Sequence, residues 1–211
     1  MYIQIVDYCN MSCKHCGMSC KHKGSTMSLE TFRNALKEGD ESITIGGGEP
    51  TLHPHFWQFL MEAVARSESV WLATNGSQTE IAIALAGLAK KGVVGVALSQ
   101  DIYHDEIDYK VVEAFTKDKK PYNIDRDNND LREIRNVEGK LIKAGRCKEG
   151  LEECICSDLF IEPSGKIRGC GCVKSPVFGN VNTTYKIPND WDIGECYKIQ
   201  YVERCTHIKC A

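Results

Sequence analysis

Three thiols crowd one short stretch near the N-terminus. The segment Cys9-Asn10-Met11-Ser12-Cys13-Lys14-His15-Cys16 has a C-x3-C-x2-C spacing and directly follows an apolar run. Thiolates at that spacing can hold three corners of a cubane iron–sulfur cluster and leave its fourth iron open to an outside ligand. A closed centre, whether zinc or an electron-carrying cluster, needs a fourth residue. Cys20 stands close enough to supply it, so spacing alone leaves both readings open. The second chemical motif is Gly46-Gly47-Gly48-Glu49-Pro50. Its glycines let the backbone turn sharply, Glu49 can accept from an ammonium group, and Pro50 fixes the exit from the loop. Alone, such a glycine run is often just a turn.

Two further segments sit where apolar runs end: Ala73-Thr74-Asn75-Gly76 and Ser99-Gln100-Asp101. The plain reading of Thr74-Asn75-Gly76 is a turn, and Ser99 or Asp101 could cap the next helix. Their placement favours a site, because parallel α/β sheets bind ligands outside the carboxyl ends of their strands. Tyr103 and His104 follow; His104 can act there as an acid, a base or a substrate contact, or simply begin a solvated helix. The heptad Met11–Gly17 recurs as Met18–Gly24 with one change, Cys16 to Lys23. The copy is too short to be a structural repeat, and it adds Cys20 and His22 beside the first cysteines.

Taken together, Cys9, Cys13 and Cys16 with Gly47-Gly48-Glu49-Pro50 resemble the radical S-adenosylmethionine (SAM) superfamily. The resemblance implies that the three cysteines hold a [4Fe–4S] cluster whose open iron binds the amino and carboxylate groups of SAM's methionine. It places Glu49 at that amino group, and His15 where a flat ring often lies by the adenine. Thr74 and Asn75 fall near the methionine, and Ser99 and Asp101 toward the ribose. The implied activity is reductive cleavage of SAM to a 5′-deoxyadenosyl radical, which abstracts hydrogen from a substrate. A flavodoxin or ferredoxin would supply the electron. The match is good over roughly residues 2–115.

The elements that must position these residues alternate between strand and helix. Strands are expected at 2–7, 42–45, 70–73 and 93–98, and helices at 27–37 (Ser28 as N-cap), 55–66, 80–91 and 105–115. That order implies βαβ units and a parallel sheet. Pro121–Ile124 is a candidate fifth strand, and Leu131–Ala144 is expected to be helical despite its polar middle and Gly139. Asp158–Cys170 reads as a β-hairpin about a Pro163-Ser164-Gly165 turn. The expected fold is therefore α/β: a shortened, open βα barrel over residues 1–145, then a small cysteine-rich hairpin module over 146–211.

Twelve of the 211 residues are cysteine. The chain is long enough to build a core without staples, no export signal or membrane-length apolar run is visible, and many thiols stand at ligand spacing. Metal binding in the cytoplasm is the expectation, not a disulfide framework. A formal net charge of −3 speaks against broad electrostatic binding to nucleic acid. Eight cysteines lie beyond residue 145. Cys154 and Cys170 bracket Gly165 as C-x10-G-x4-C, and Gly179-Asn180-Val181 follows. This resembles the twitch and SPASM extensions of radical SAM enzymes, which carry an auxiliary [4Fe–4S] cluster; the shorter twitch form fits better. The candidate ligands are Cys154, Cys156, Cys170, Cys172, Cys205 and Cys210. Zinc is the alternative, although it prefers C-x2-C pairs to the C-x-C pairs found here.

Three functions compete. Such modules are most frequent in enzymes that modify a peptide or protein, and this is the leading expectation. The same chemistry on a nucleotide, nucleobase or cofactor precursor is the second; Lys14, Lys21, His22 and Lys23 could hold a phosphate for it, although a solvated basic loop is their plainer reading. A non-catalytic iron–sulfur or zinc module is the third.

Overall fold

The structure, a computed structural model, describes residues 1–37, 41–119, 129–136, 141, 145–148, 158–171 and 175–188. Its frame is one open sheet of eight strands in the order β5-β4-β3-β2-β1-β6-β7-β8. The strands are β1 (Tyr2–Val6), β2 (Ser42–Gly47), β3 (Ser69–Thr74), β4 (Gly95–Ser99), β5 (Arg132–Arg135), β6 (Phe160–Ile161), β7 (Lys166–Arg168) and β8 (Val177–Asn180). Strands β1 to β6 run parallel, and β7 and β8 return antiparallel. Helices α1 (Leu29–Leu36), α2 (Phe56–Val64), α3 (Thr79–Lys90) and α4 (Tyr109–Thr116) follow strands β1 to β4 in turn. This is the expected βα alternation. No helix among the described residues is long and apolar enough to cross a membrane.

Local chemistry explains the boundaries. Ser28 caps α1 by accepting from the Thr31 amide at 3.0 Å, a contact worth about 1 kcal/mol. Gly92 ends α3 with φ +73°, which costs glycine no Cβ clash. Helix α4 begins at Tyr109, later than residue 105, because the Asp108 side chain accepts from the Lys110 amide and caps it there. Asp101 and Ser99 are therefore not helix caps.

Alternate residues of each strand (Ile3 and Ile5, Ile43 and Ile45, Val70 and Leu72, Val96 and Leu98) pack with the helices in one core. Phe32 of α1 and Phe59 of α2 stack within it at 4.4 Å. Because strand side chains alternate, Tyr2, Thr44, Gly46, Ala73 and Ser99 must point to the opposite face. That face carries the site described below.

One element departs from expectation. Residues 132–135 are a strand, not part of a helix, paired parallel with β4 from Val96↔Arg132 to Ser99↔Arg135. The polar residues that disguise it are explained by Arg132. Its buried guanidinium bonds Asp130 at 2.6 Å and donates to the carbonyls of Ala114 (2.6 Å) and Lys117 (3.0 Å). The expected strand at 121–124 lies outside the described residues. The Asp158–Cys170 hairpin forms as β6 and β7, with Gly165 at φ +85° in its turn. Strand β6 pairs Tyr2↔Phe160 and Ile3↔Ile161 on β1, and the Tyr2 and Phe160 rings stack at 5.0 Å.

Candidate active site

All four motifs emerge at the carboxyl edge of the parallel strands. Cys9 follows β1, Gly47 closes β2, Thr74 closes β3 and Ser99 closes β4. They wall a cavity of about 260 Å³, lined also by Cys13, His15, Cys16, Gly48, Glu49, Pro50 and Asn75. Asp101 stands behind this wall, against His15 and His104.

The glycine loop is shaped by close approach. The Gly48 amide donates to Val6 O at 3.1 Å, and the Glu49 amide to Tyr8 O at 3.0 Å. A Cβ on Gly48 would lie 2.0 Å from Tyr8 O and 2.9 Å from Cys9 N. Only glycine lets this loop rest on the chain that leads into the first cysteine. Tyr2 adds a brace, its hydroxyl accepting from the Gly47 amide at 3.1 Å.

Glu49 is 1% exposed. Its Oε1 accepts from the Thr51 amide (3.2 Å), the Thr51 hydroxyl (2.6 Å) and the Thr74 hydroxyl (2.8 Å). Its Oε2 accepts from the Asn75 amide at 2.7 Å, which leaves acceptor capacity on that oxygen. Burial pushes the carboxyl above its usual range, and the donors from Asn75, Thr51 and Thr74 oppose it.

The thiols differ in their surroundings. Burial lifts Cys9, and lifts Cys13 to about 11. The adjacent Cys20 thiol draws Cys16 below the usual thiol range and is itself pushed up. Cys9 Sγ accepts from the Met11 amide at 3.4 Å and from Asn75 Nδ2 at 3.5 Å.

At the far side of the cavity the His15 ring lies 4.9 Å from both Tyr103 and His104. Burial lowers the His15 pKa, so the ring is neutral near pH 7. His104 Nδ1 donates to Asp101 Oδ1 at 2.8 Å, and so does the Tyr103 amide at 2.9 Å. Burial opposes the charge on Asp101, but these two donors prevail and hold its pKa below the usual range. His104 is thus tied into the site, not a solvated helix start.

These residues fit a cluster with SAM. Three thiols share one loop and one cavity, and two buried polar atoms beside it, Asp101 Oδ2 and His15 Nδ1, have no hydrogen-bond partner. His15 lines the cavity, and Asp101 lies directly behind it. Of the candidate auxiliary ligands, Cys170 is fully buried at the end of β7, with its amide donating to Ser175 Oγ at 2.8 Å. Cys154, Cys156, Cys172, Cys205 and Cys210 lie outside the described residues.

Sequence reasoning missed Tyr2, Thr51, Arg135 and Arg146. Arg135 and Arg146 both line the cavity. Thr51 was visible as the residue after Gly-Glu-Pro; the arginines carry no local signature.

A family model described as the radical SAM superfamily matches residues 3–136. The chain belongs to that superfamily. Mycofactocin maturase MftC of Mycobacterium ulcerans (strain Agy99) is 34% identical over 98 residues, covering 44% of this chain and 26% of that protein. The chain thus spans about a quarter of the curated relative it matches. Among solved structures, hexahistidine-tagged anSMEcpe with bound AdoMet (SAM) superposes with a TM-score of 0.55 at 18% identity, covering 87% of this chain and 78% of that one. Native anSMEcpe with AdoMet and the Cp18Cys peptide gives 0.53 at 16% identity, covering 87% and 77%. At those identities the likeness establishes the radical SAM fold.

Proposed function

We propose that the protein is a radical SAM enzyme that modifies a peptide or protein. The observation that carries this is the convergence of Cys9, Cys13, Cys16, Gly47, Gly48, Glu49, Asn75 and His15 on one cavity. Cys9, Cys13 and Cys16 hold the [4Fe–4S] cluster. The free side of Glu49 Oε2 and the Gly47–Pro50 loop receive the methionine ammonium. Thr74 and Asn75 fix Glu49 from beneath. His15 offers its ring to the adenine and Ser99 an acceptor to the ribose hydroxyls, while Asp101, one layer behind, braces that wall by accepting from His104 Nδ1 and the Tyr103 amide. Together, cluster and SAM supply one-electron cleavage of a sulfonium, which opens unactivated C–H bonds to hydrogen abstraction.

The protein's own part is to bind, orient and exclude water. Glu49 is walled off from solvent, so its charge acts in a low-dielectric setting and is strengthened toward a ligand. Neutral His15 presents a flat face with no charge to repel the sulfonium. A wider cavity of about 720 Å³ adjoins the first and shares Met18 and Cys20 with it. Its lining mixes Phe160 with Lys21, Lys23, Glu162 and Arg168. That size and mixed polarity suit a short peptide segment. A relative named as a maturase and a fold neighbour holding a peptide support the same substrate class.

A second [4Fe–4S] cluster in the C-terminal module, with Cys170 among its ligands, completes the proposal, and a flavodoxin or ferredoxin serves as electron donor. The experiment is anaerobic reconstitution with iron and sulfide, followed by SAM and dithionite. Formation of 5′-deoxyadenosine and methionine is the expected result. A reconstituted protein that binds only zinc and cleaves no SAM would overturn the proposal.

A further inference from the structure

The cysteine loop has little backbone structure of its own. Among the described residues its internal support is Cys16 N–H to Cys13 O at 3.2 Å and Ser19 N–H to Cys16 O at 3.3 Å, with Cys9 N–H held by Lys21 O at 2.8 Å. Ser19 also stands at φ +52°, in the left-handed region. Three thiols destined for one cluster need their Cα positions fixed more firmly than this.

The missing support comes from far along the chain. The Arg146 amide donates to Cys16 O at 3.0 Å. Its Nε donates to Cys13 O at 3.2 Å, and its Nη1 to Cys20 O at 2.7 Å. One residue thus binds the carbonyls of three cysteines in the loop. Gly145 makes the approach possible. It adopts φ +56°, and a Cβ there would lie 2.3 Å from Gly17 O and 2.6 Å from Cys16 O. Among the described residues Arg146 has no carboxylate partner, so its charge is not cancelled by an acid. The guanidinium lines the same cavity as Cys9, Cys13 and Cys16. A fork of planar donors can meet two carbonyls at once; a lysine ammonium can carry the charge but not that geometry.

We infer that Arg146 is a positioning residue for the cluster: its amide and guanidinium set the shape of the three-cysteine loop, and its unpaired charge offsets the thiolates and favours the reduced cluster. The inference rests on the radical SAM reading and adds a second role, electronic as well as geometric. Nearby cations and hydrogen bonds are recognised determinants of cluster potential.

The test uses the full chain, reconstituted anaerobically, with Arg146→Gln, Arg146→Lys and Gly145→Ala. Two quantities are read: the rate of iron loss to a chelator, and the midpoint potential of the cluster whose EPR signal SAM perturbs. Arg146→Gln is expected to release iron roughly tenfold faster, as loss of charge-assisted bonds implies, and to shift the potential negative. Arg146→Lys restores the potential but still releases iron faster than wild type. Gly145→Ala keeps the charge and the potential yet loosens the iron. A lowered melting temperature in Arg146→Gln with an unchanged potential would reduce Arg146 to a structural role, and unchanged iron release would remove it altogether. If wild type shows no SAM-responsive cluster, the functional reading fails on its own. Alkylation of Cys13 and Cys16 then decides the clasp: Arg146→Gln must expose both several-fold faster, and equal rates refute it.

Discussion

The Asn75 amide lies 2.7 Å from Glu49 Oε2, which fastens the loop after β3 to the loop after β2. The same Asn75 reaches through Nδ2 to Asn10 Oδ1 at 3.0 Å and to Cys9 Sγ at 3.5 Å. Three loops that belong to three strands are thus joined in one network, with a buried carboxylate at its centre. Glu49 serves the scaffold with most of its lone pairs and keeps the remainder for a ligand.

Glu49→Ala should therefore do two things at once. SAM affinity, measured by calorimetry on the reconstituted protein, should fall roughly ten- to a hundred-fold with the loss of a charge-assisted bond. Stability should fall by about 3 kcal/mol as well, because Thr74 and the Asn75 amide lose their acceptor in a buried place. Thermal unfolding checks the second effect. If SAM affinity survives with the cluster intact, the Gly47–Pro50 loop is a scaffold turn and nothing more.

Gly48→Ala probes the loop without touching a polar group. The added methyl meets Tyr8 O and Cys9 N at impossible distances, so one of the two segments must move. A cost of about 3 kcal/mol is expected for overpacking against backbone. Iron retention should drop in step, because the displaced segment leads into Cys9. Full iron content in a destabilised variant would show that the loops move independently.

Metal content separates the two cluster sites. The reconstituted wild type should hold about eight irons as two cubanes, and replacing Cys9, Cys13 and Cys16 together with Ala should remove about four. Cys170→Ala should instead lose auxiliary iron while keeping part of the SAM cleavage. Loss of all cleavage in Cys170→Ala, with the first cluster present, would contradict that division.

In the cluster-free protein the thiols should titrate apart. The neighbouring Cys20 thiol draws Cys16 below the usual thiol range, whereas burial lifts Cys13 to about 11. Iodoacetamide mapping at neutral pH should label Cys16 faster than Cys13, and the Cys13 rate should climb about tenfold per pH unit. Cys20→Ala removes that neighbour, raises the Cys16 pKa and slows its alkylation at neutral pH. Equal Cys16 and Cys13 rates in wild type would show that Cys20 does not draw Cys16 down.

The sequence disclosed the βα alternation because β1 to β4 are apolar runs with clear breaks, and it disclosed the motifs because their residue types are scarce and their spacing is fixed. It hid β5, whose Arg-Glu-Ile-Arg reads as a helix until Arg132 finds buried partners on Asp130 and α4. It hid Arg146 for a related reason. A long cation that bonds carbonyl groups far away leaves no periodicity and no local pattern. The value of Glu49 was legible but not its manner: the motif points outward to a ligand, whereas the folded carboxylate also faces inward to Thr51 and Thr74.

Strand β1 precedes β2 to β8 in sequence, yet it sits inside the sheet, with β2 on one side and β6 on the other. Its pairing of Tyr2 with Phe160 joins residues from opposite parts of the chain. During synthesis the edge that awaits β6 stays unpaired until Phe160 and Ile161 have left the ribosome. Contacts of such long sequence separation form slowly. The cysteine loop, which hangs from β1, must therefore stand half-supported until Arg146 and β6 have been made, and iron delivery to it has reason to wait for them.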